Sequence, residues 1–238
     1  MAASAADIAR HLEVVAAERQ RREASPGLLE KVTALKAFQQ QRFSHSYADL
    51  LASARYGPAA RYFLDELYGP KDFSARDAQF ARVAPSIARV FPKEVAATLD
   101  ILSELHALSE TLDTAMAERL ASDRIAAADY LAAWQGVGRA AERERQIALT
   151  LAIAAQLDRI TRLPFLRNAM RLMRGPARAA GFADLHRSLE SGFDTFKAMK
   201  GADEFIACIG TRERELAAAL FAAPPSGAAR ARVLAALP

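Results

Sequence analysis

His106 has the surroundings best suited to chemistry. Ser103, Glu110 and Asp113 lie one or two helical turns from it, so one helix would carry an imidazole, two carboxylates and a hydroxyl on one side. An imidazole with two carboxylates is a divalent-metal donor set. Metal sites in helical proteins draw their ligands from facing helices, so three ligands from one helix would be strained. The competing reading is a histidine at the core edge, hydrogen-bonded to Glu110 at i+4. His11, His45 and His186 form no HExxH pair with it or with each other.

A second cluster lies in RYFLDELYGPKDFSARD, residues 61–77. Here Tyr62, Asp65, Glu66 and Tyr68 precede a Gly-Pro stop, Asp77 follows, and Arg55 stands just upstream. Tyr62 and Glu66 are one turn apart, within reach of a phenol-to-carboxylate hydrogen bond. Paired acids without a histidine define no reaction, so Arg55, Tyr62, Asp65, Glu66, Tyr68 and Asp77 are candidates for binding a ligand or partner, not for catalysis. Phe63, Leu64 and Leu67 share the face expected to be buried, which leaves Tyr62, Asp65 and Glu66 at the boundary. In RFSHSYADLL, Ser44 and Ser46 adjoin His45, and adjacent helical residues do not face one another. A Ser-His-Asp hydrolytic arrangement is therefore not expected.

The third cluster is cationic. No acid falls between Asp158 and Asp184, whereas Arg159, Arg162, Arg167, Arg171, Arg174 and Arg178 all do. Arg167, Arg171, Arg174 and Arg178 have the spacing of one helix face, with Phe165, Leu166, Met170, Leu172 and Met173 alongside. Such a segment suits peripheral contact with an anionic surface or an acidic partner. The alternative is that these arginines pair with acids such as Glu142, Glu144 or Glu190. Nucleic acid is not expected, because there is no aromatic stacking platform and no helix-turn-helix signature. The net charge of +4 and the pI of 9.4 rest on arginine, since lysines number only six, and do not by themselves point to nucleic acid.

These clusters require helices to position them. Ala, Leu, Arg and Glu dominate, no strand-length β-branched run alternates, and 52% of residues are hydrophobic, so the class is all-α. The expected fold is a compact bundle of about nine or ten helices forming a single domain over 1–222, with a loosely attached tail at 223–238. Leu99, Leu102, Leu105, Leu108, Leu112, Met116 and Leu120 mark a long central helix over 93–121. Ser25-Pro26 predicts a cap and first position for a second helix, and Ser122 or Asp123 a later cap. Ser74 and Asp77 read as a capping box. Gly175-Pro176 and Gly181 predict breaks. The one cysteine, Cys208, excludes an internal disulfide and suits a reducing compartment. No stretch is long and apolar enough to cross a membrane, and no secretory leader is present, so the expected location is cytoplasmic.

Residues 62–68, YFLDELY, resemble the signature of the bacterial FFLEELY-motif proteins, with Tyr for the first Phe and Asp for the first Glu. The similarity extends through RFSHSYADLLASARYGPAA before it and PKDFSARDAQFARVAP after it, and weakly to FKAMKGADEFIACI. It implies a stand-alone bacterial protein and supplies no activity. LSELH, residues 102–106, is similar to the string around the proximal histidine of vertebrate haemoglobin chains. That likeness would make His106 an iron ligand in a haem site, with Phe63 or Phe73 at the haem edge and Gln79 on the distal side. The leading expectation is a non-enzymatic protein that needs no cofactor and binds a protein partner or an apolar small ligand. A haem- or metal-binding protein built on His106 is the alternative, and a homodimer is compatible with either.

Overall fold

The computed structural model describes residues 5–67, 79, 80, 82 and 93–238. It is all-α: no strand occurs among the described residues, and the long central helix is present. The elements are α1 (Ala5–Ala24), α2 (Leu28–Ser46), α3 (Ala48–Ala52), α4 (Gly57–Tyr62), α5 (Lys93–Ala117), α6 (Ala127–Val137), α7 (Ala140–Thr161), α8 (Leu166–Ala179), α9 (Ala183–Met199), α10 (Asp203–Ala222) and α11 (Ala228–Ala235). A π-helical turn, Phe63–Leu67, continues α4.

Local chemistry shifts several boundaries from those predicted. Ser25 does not cap α2. Ser25 to Leu28 form a type II turn, with Gly27 at φ 72° and the Leu28 amide donating to the Ser25 carbonyl at 3.1 Å. The Pro-Gly pair sets that turn, so the helix begins after it. α5 stops at Ala117, short of 121, in a tightened turn whose Leu120 carbonyl accepts from Lys31 Nζ at 2.8 Å. The start of α6 is closed by the Ala126 amide donating to Asp129 Oδ2, while Ser122 Oγ binds the Arg124 amide in the preceding loop. α8 runs through Gly175-Pro176, because a proline in the last turn removes only the bond to the Leu172 carbonyl, on an exposed residue. The predicted capping box at Ser74 and Asp77 lies outside the described residues.

α5 packs against α1, α2, α6 and α7, and α7 in turn supports α9 and α10. One apolar cluster joins α2, α5, α6 and α10 around Phe38, Met116, Tyr130 and Trp134. Leu237, 5% exposed, belongs to it, so the tail predicted as loosely attached is seated on the core through its last turn. A second cluster joins α3, α4, α7, α9 and α10 around Tyr47, Phe63, Phe196 and Phe205. Between the helices runs a line of buried polar groups, including Arg22, Gln39, Glu110, Asp113 and Arg143. No described helix is long and apolar enough to cross a membrane.

Candidate functional site

The segment around Tyr62 is built into the fold. Phe63 is buried as predicted, with its ring centroid 5.9 Å from that of Phe196 and 6.1 Å from that of Phe205. Tyr62, placed at the boundary by the sequence reading, is instead only 9% exposed, and its hydroxyl donates to the Ser188 carbonyl at 3.1 Å. Two features turn it inward. Gly192 leaves a groove in α9 for the phenol, since a Cβ there would stand 2.6 Å from the Tyr62 hydroxyl. The π turn then changes the register after Tyr62, and the Leu64 carbonyl accepts from Gln40 Nε2 at 3.0 Å.

Arg55 has a structural task as well. Its Nε donates to the Met199 carbonyl at 3.0 Å and Nη2 to the Gly201 carbonyl at 3.2 Å, while Nη1 meets Glu204 at 3.1 Å. It closes the α9–α10 turn. Asp65 is exposed. Tyr68, Asp77 and the Glu66 side chain lie outside the described residues.

His106 Nε2 is 3.5 Å from Glu110 Oε1, the i+4 pairing expected of a core-edge histidine. The Glu110 carboxylate is already held by Arg22, which is 4% exposed, and by Lys36 Nζ at 2.6 Å. Arg22 also donates to the Glu110 carbonyl at 2.6 Å and to Thr114 Oγ1 at 2.9 Å. Burial alone would raise the Glu110 pKa; His106, Lys36 and Arg22 outweigh it and hold the carboxyl well below its ordinary value. Asp113 turns to Gln39 Nε2 at 3.1 Å, and its burial pushes its carboxyl up. The carboxylate one turn from His106 is thus engaged by two cations. Among the described residues no three His, Cys, Asp or Glu side chains converge on one point.

The residues of RFSHSYADLL serve α10. Tyr47 donates to Glu213 at 2.7 Å and Arg42 joins the same carboxylate, while Arg212 grips Asp49 with two bonds of 2.7 Å. Burial, then the Glu213 charge, drives the Tyr47 phenol far above its usual range, so it stays a hydrogen-bond donor.

The cationic segment is different. α8 contains no buried residue. Its partly buried positions Leu166, Met170 and Ala177 form one stripe against α9. Arg167 meets Glu190 at 3.0 Å and Asp194 at 2.5 Å, and Arg174 meets Glu190 at 2.8 Å. The hydrogen bonds from Arg174 hold the Glu190 carboxyl below its ordinary value. These two arginines therefore fasten α8 to α9, as the ion-pair alternative expects. Arg171 and Arg178 are exposed and meet no acid among the described residues. At about 100° per residue, Leu172 stands roughly opposite the packed stripe, with Arg171 and Arg178 together on one side of it and Met173 on the other. Leu172 is 80% exposed and Phe165, just before the helix, 82%. Leu163 and Met173 are exposed too.

Of the four arginines that the sequence groups on one face, Arg167 and Arg174 are ion-paired and Arg171 and Arg178 are exposed. The sequence gives no sign of Gly192, whose role depends on a neighbour 130 residues away, or of the docking of Arg55 on the α9–α10 turn. The chain belongs to the family described as a domain of unknown function, DUF8198, which matches residues 18–227. No curated protein and no solved structure matches it.

Proposed function

We propose that the protein is a peripheral surface-binding protein that lays α8 on an anionic membrane face. Phe165, Leu172 and Met173 enter the headgroup–acyl boundary, and Arg171 and Arg178 lie over the phosphates. The observation that carries this reading is the exposure of Phe165 and Leu172 beside Arg171 and Arg178, which meet no acid among the described residues. Phe165 is also held at φ 66°, a conformation that strains a bulky residue. Its carbonyl caps α8 by accepting from the Ala169 amide at 2.9 Å, while its ring is left outside the core. Burying a Phe or Leu side chain is worth roughly 1.5–3 kcal/mol, and a basic residue near an anionic surface about 1 kcal/mol. The five groups together are enough for reversible attachment. Self-association through this face would set Arg171 and Arg178 against their own copies, which disfavours a homodimer there.

Co-sedimentation with vesicles tests it. The protein should bind vesicles containing anionic phospholipid, release at high salt, and leave purely zwitterionic vesicles in the supernatant. F165S/L172S should lose binding while keeping its helicity. If the wild type ignores anionic vesicles, the docking reading fails, and an acidic protein partner for the same arginines becomes the better account.

A further inference from the structure

Beside the start of α8, the C-terminal ends of α7 and α9 enclose a depression of about 220 Å³. Arg162, Lys197 and Lys200 line it together with Asp158 and Thr161. We propose that this depression receives the phosphate of a single lipid headgroup, which would make it the selective part of the docking surface; the inference rests on the membrane reading of α8.

The charges favour an anion. Lys197 and Lys200 are exposed and neither meets an acid among the described residues; the Lys197 ammonium lies only over the Phe193 ring, 5.6 Å from its centroid. Among the described residues Asp158 is the one lining acid, and Arg162 answers it with a direct ion pair while remaining mostly exposed. Three cations against one acid leave an excess of two positive charges.

Helix C-termini would ordinarily oppose an anion through their free carbonyls. Arg55 removes much of that opposition, because it already occupies the Met199 and Gly201 carbonyls from the side. Thr161 Oγ1 donates to the Asp158 carbonyl at 2.8 Å, which ties up another at the end of α7.

Position links the depression to the membrane face. Arg162 is followed directly by Leu163, Pro164 and Phe165, so the chain passes from the basic lining into the exposed apolar edge within three residues. A headgroup phosphate held by Arg162, Lys197 and Lys200 would sit where Leu163 and Phe165 enter the acyl boundary. An exposed phosphomonoester offers more charge and more acceptor oxygens than a diester, so it is the preferred headgroup.

The test compares vesicles carrying phosphatidic acid with vesicles carrying phosphatidylglycerol at matched surface charge. Wild type should prefer the monoester, and K197Q/K200Q should lose that preference, a change on the order of tenfold, while still binding diester vesicles. R171Q/R178Q removes the same charge from α8 and should weaken both vesicle types together with the preference intact. Because all four side chains are exposed, unchanged circular dichroism and urea midpoints are expected and would exclude misfolding. Absence of a wild-type preference, or equal weakening on both vesicles by K197Q/K200Q, overturns the headgroup site and leaves the docking of α8 standing. Failure to bind any vesicle removes both. Soluble glycerol phosphate that binds wild type as tightly as the monoester vesicles do would reassign the depression to a free phosphate compound.

Discussion

At Gly192 the backbone of α9 and the phenol of Tyr62 compete for the same space. A methyl group there would meet the Tyr62 hydroxyl at 2.6 Å and Cζ at 2.8 Å, and the ring is fixed by its bond to the Ser188 carbonyl. Gly192→Ala should therefore destabilise the protein by about 1–3 kcal/mol, although alanine is the better helix former. Tyr62→Phe should cost about 1 kcal/mol through the lost hydrogen bond. In the Gly192→Ala background, Tyr62→Ala should cost clearly less than it does alone, because the cavity accepts the new methyl. Urea unfolding of the four proteins gives the coupling; strict additivity would show that the two residues do not share a site. Sequence alone could not have found this pair. Helical spacing set Phe63 and Leu64 inward correctly, but the inward turn of Tyr62 depends on a missing side chain in a distant helix and on a π turn that shifts the register.

At the scale of the helix, α8 holds together without a core. It has no buried residue, it contains Gly175 and Pro176, and Arg167 and Arg174 pin it to Glu190 and Asp194. The Arg167–Asp194 and Arg174–Glu190 bonds are exposed and contribute little each, and only Arg167–Glu190 is partly buried, so the backbone does much to limit the stability of α8. Gly175 is helical and precedes Pro176, where a Cβ would crowd the proline ring, so the proline is the residue to change. Pro176→Ala restores the bond to the Leu172 carbonyl and should stabilise the helix by roughly 1 kcal/mol or more and raise amide protection within α8, as read by hydrogen exchange. An unchanged exchange rate across 166–179 would mean that the ion pairs, not the backbone, limit opening. The arginine spacing and the interleaved apolar residues of this helix were legible in the sequence. Its continuity was not: Gly-Pro read as a break, whereas a proline this close to a helix end costs a single bond. The extent of exposure was equally hidden, since periodicity predicts a face but not whether another element covers it.

Across the whole molecule, the central helix presents two buried carboxylates that respond to pH in opposite directions. Glu110 is held by His106, Lys36 and Arg22 below its ordinary value despite its burial. Its contribution is therefore present above the unfolded carboxyl value of about 4.3 and is lost as pH falls through the lower folded value. For Asp113, burial is the leading influence and moves its folded value up. Its contribution is full below about 3.9 and disappears as pH rises through the folded value, where an ionised carboxylate must be kept among α1, α2 and α5 with Gln39 as its hydrogen-bonding partner. Asp113→Asn removes the second titration while an amide oxygen can still accept from Gln39. Relative to wild type, Asp113→Asn should be more favourable at pH 7 than at pH 4.5, whereas the Glu110→Gln deficit, in which Arg22 and Lys36 lose a charged partner, should be full at both and shrink only as the pH is taken below the unfolded carboxyl value of about 4.3. Urea unfolding at pH 7, at pH 4.5 and at about pH 3 measures both differences. A Glu110→Gln deficit that shrinks on acidification, with an Asp113→Asn difference that moves the other way, would identify the polar line through the bundle as two independent titrations; parallel behaviour of the variants would instead mean that the two carboxylates share one proton equilibrium.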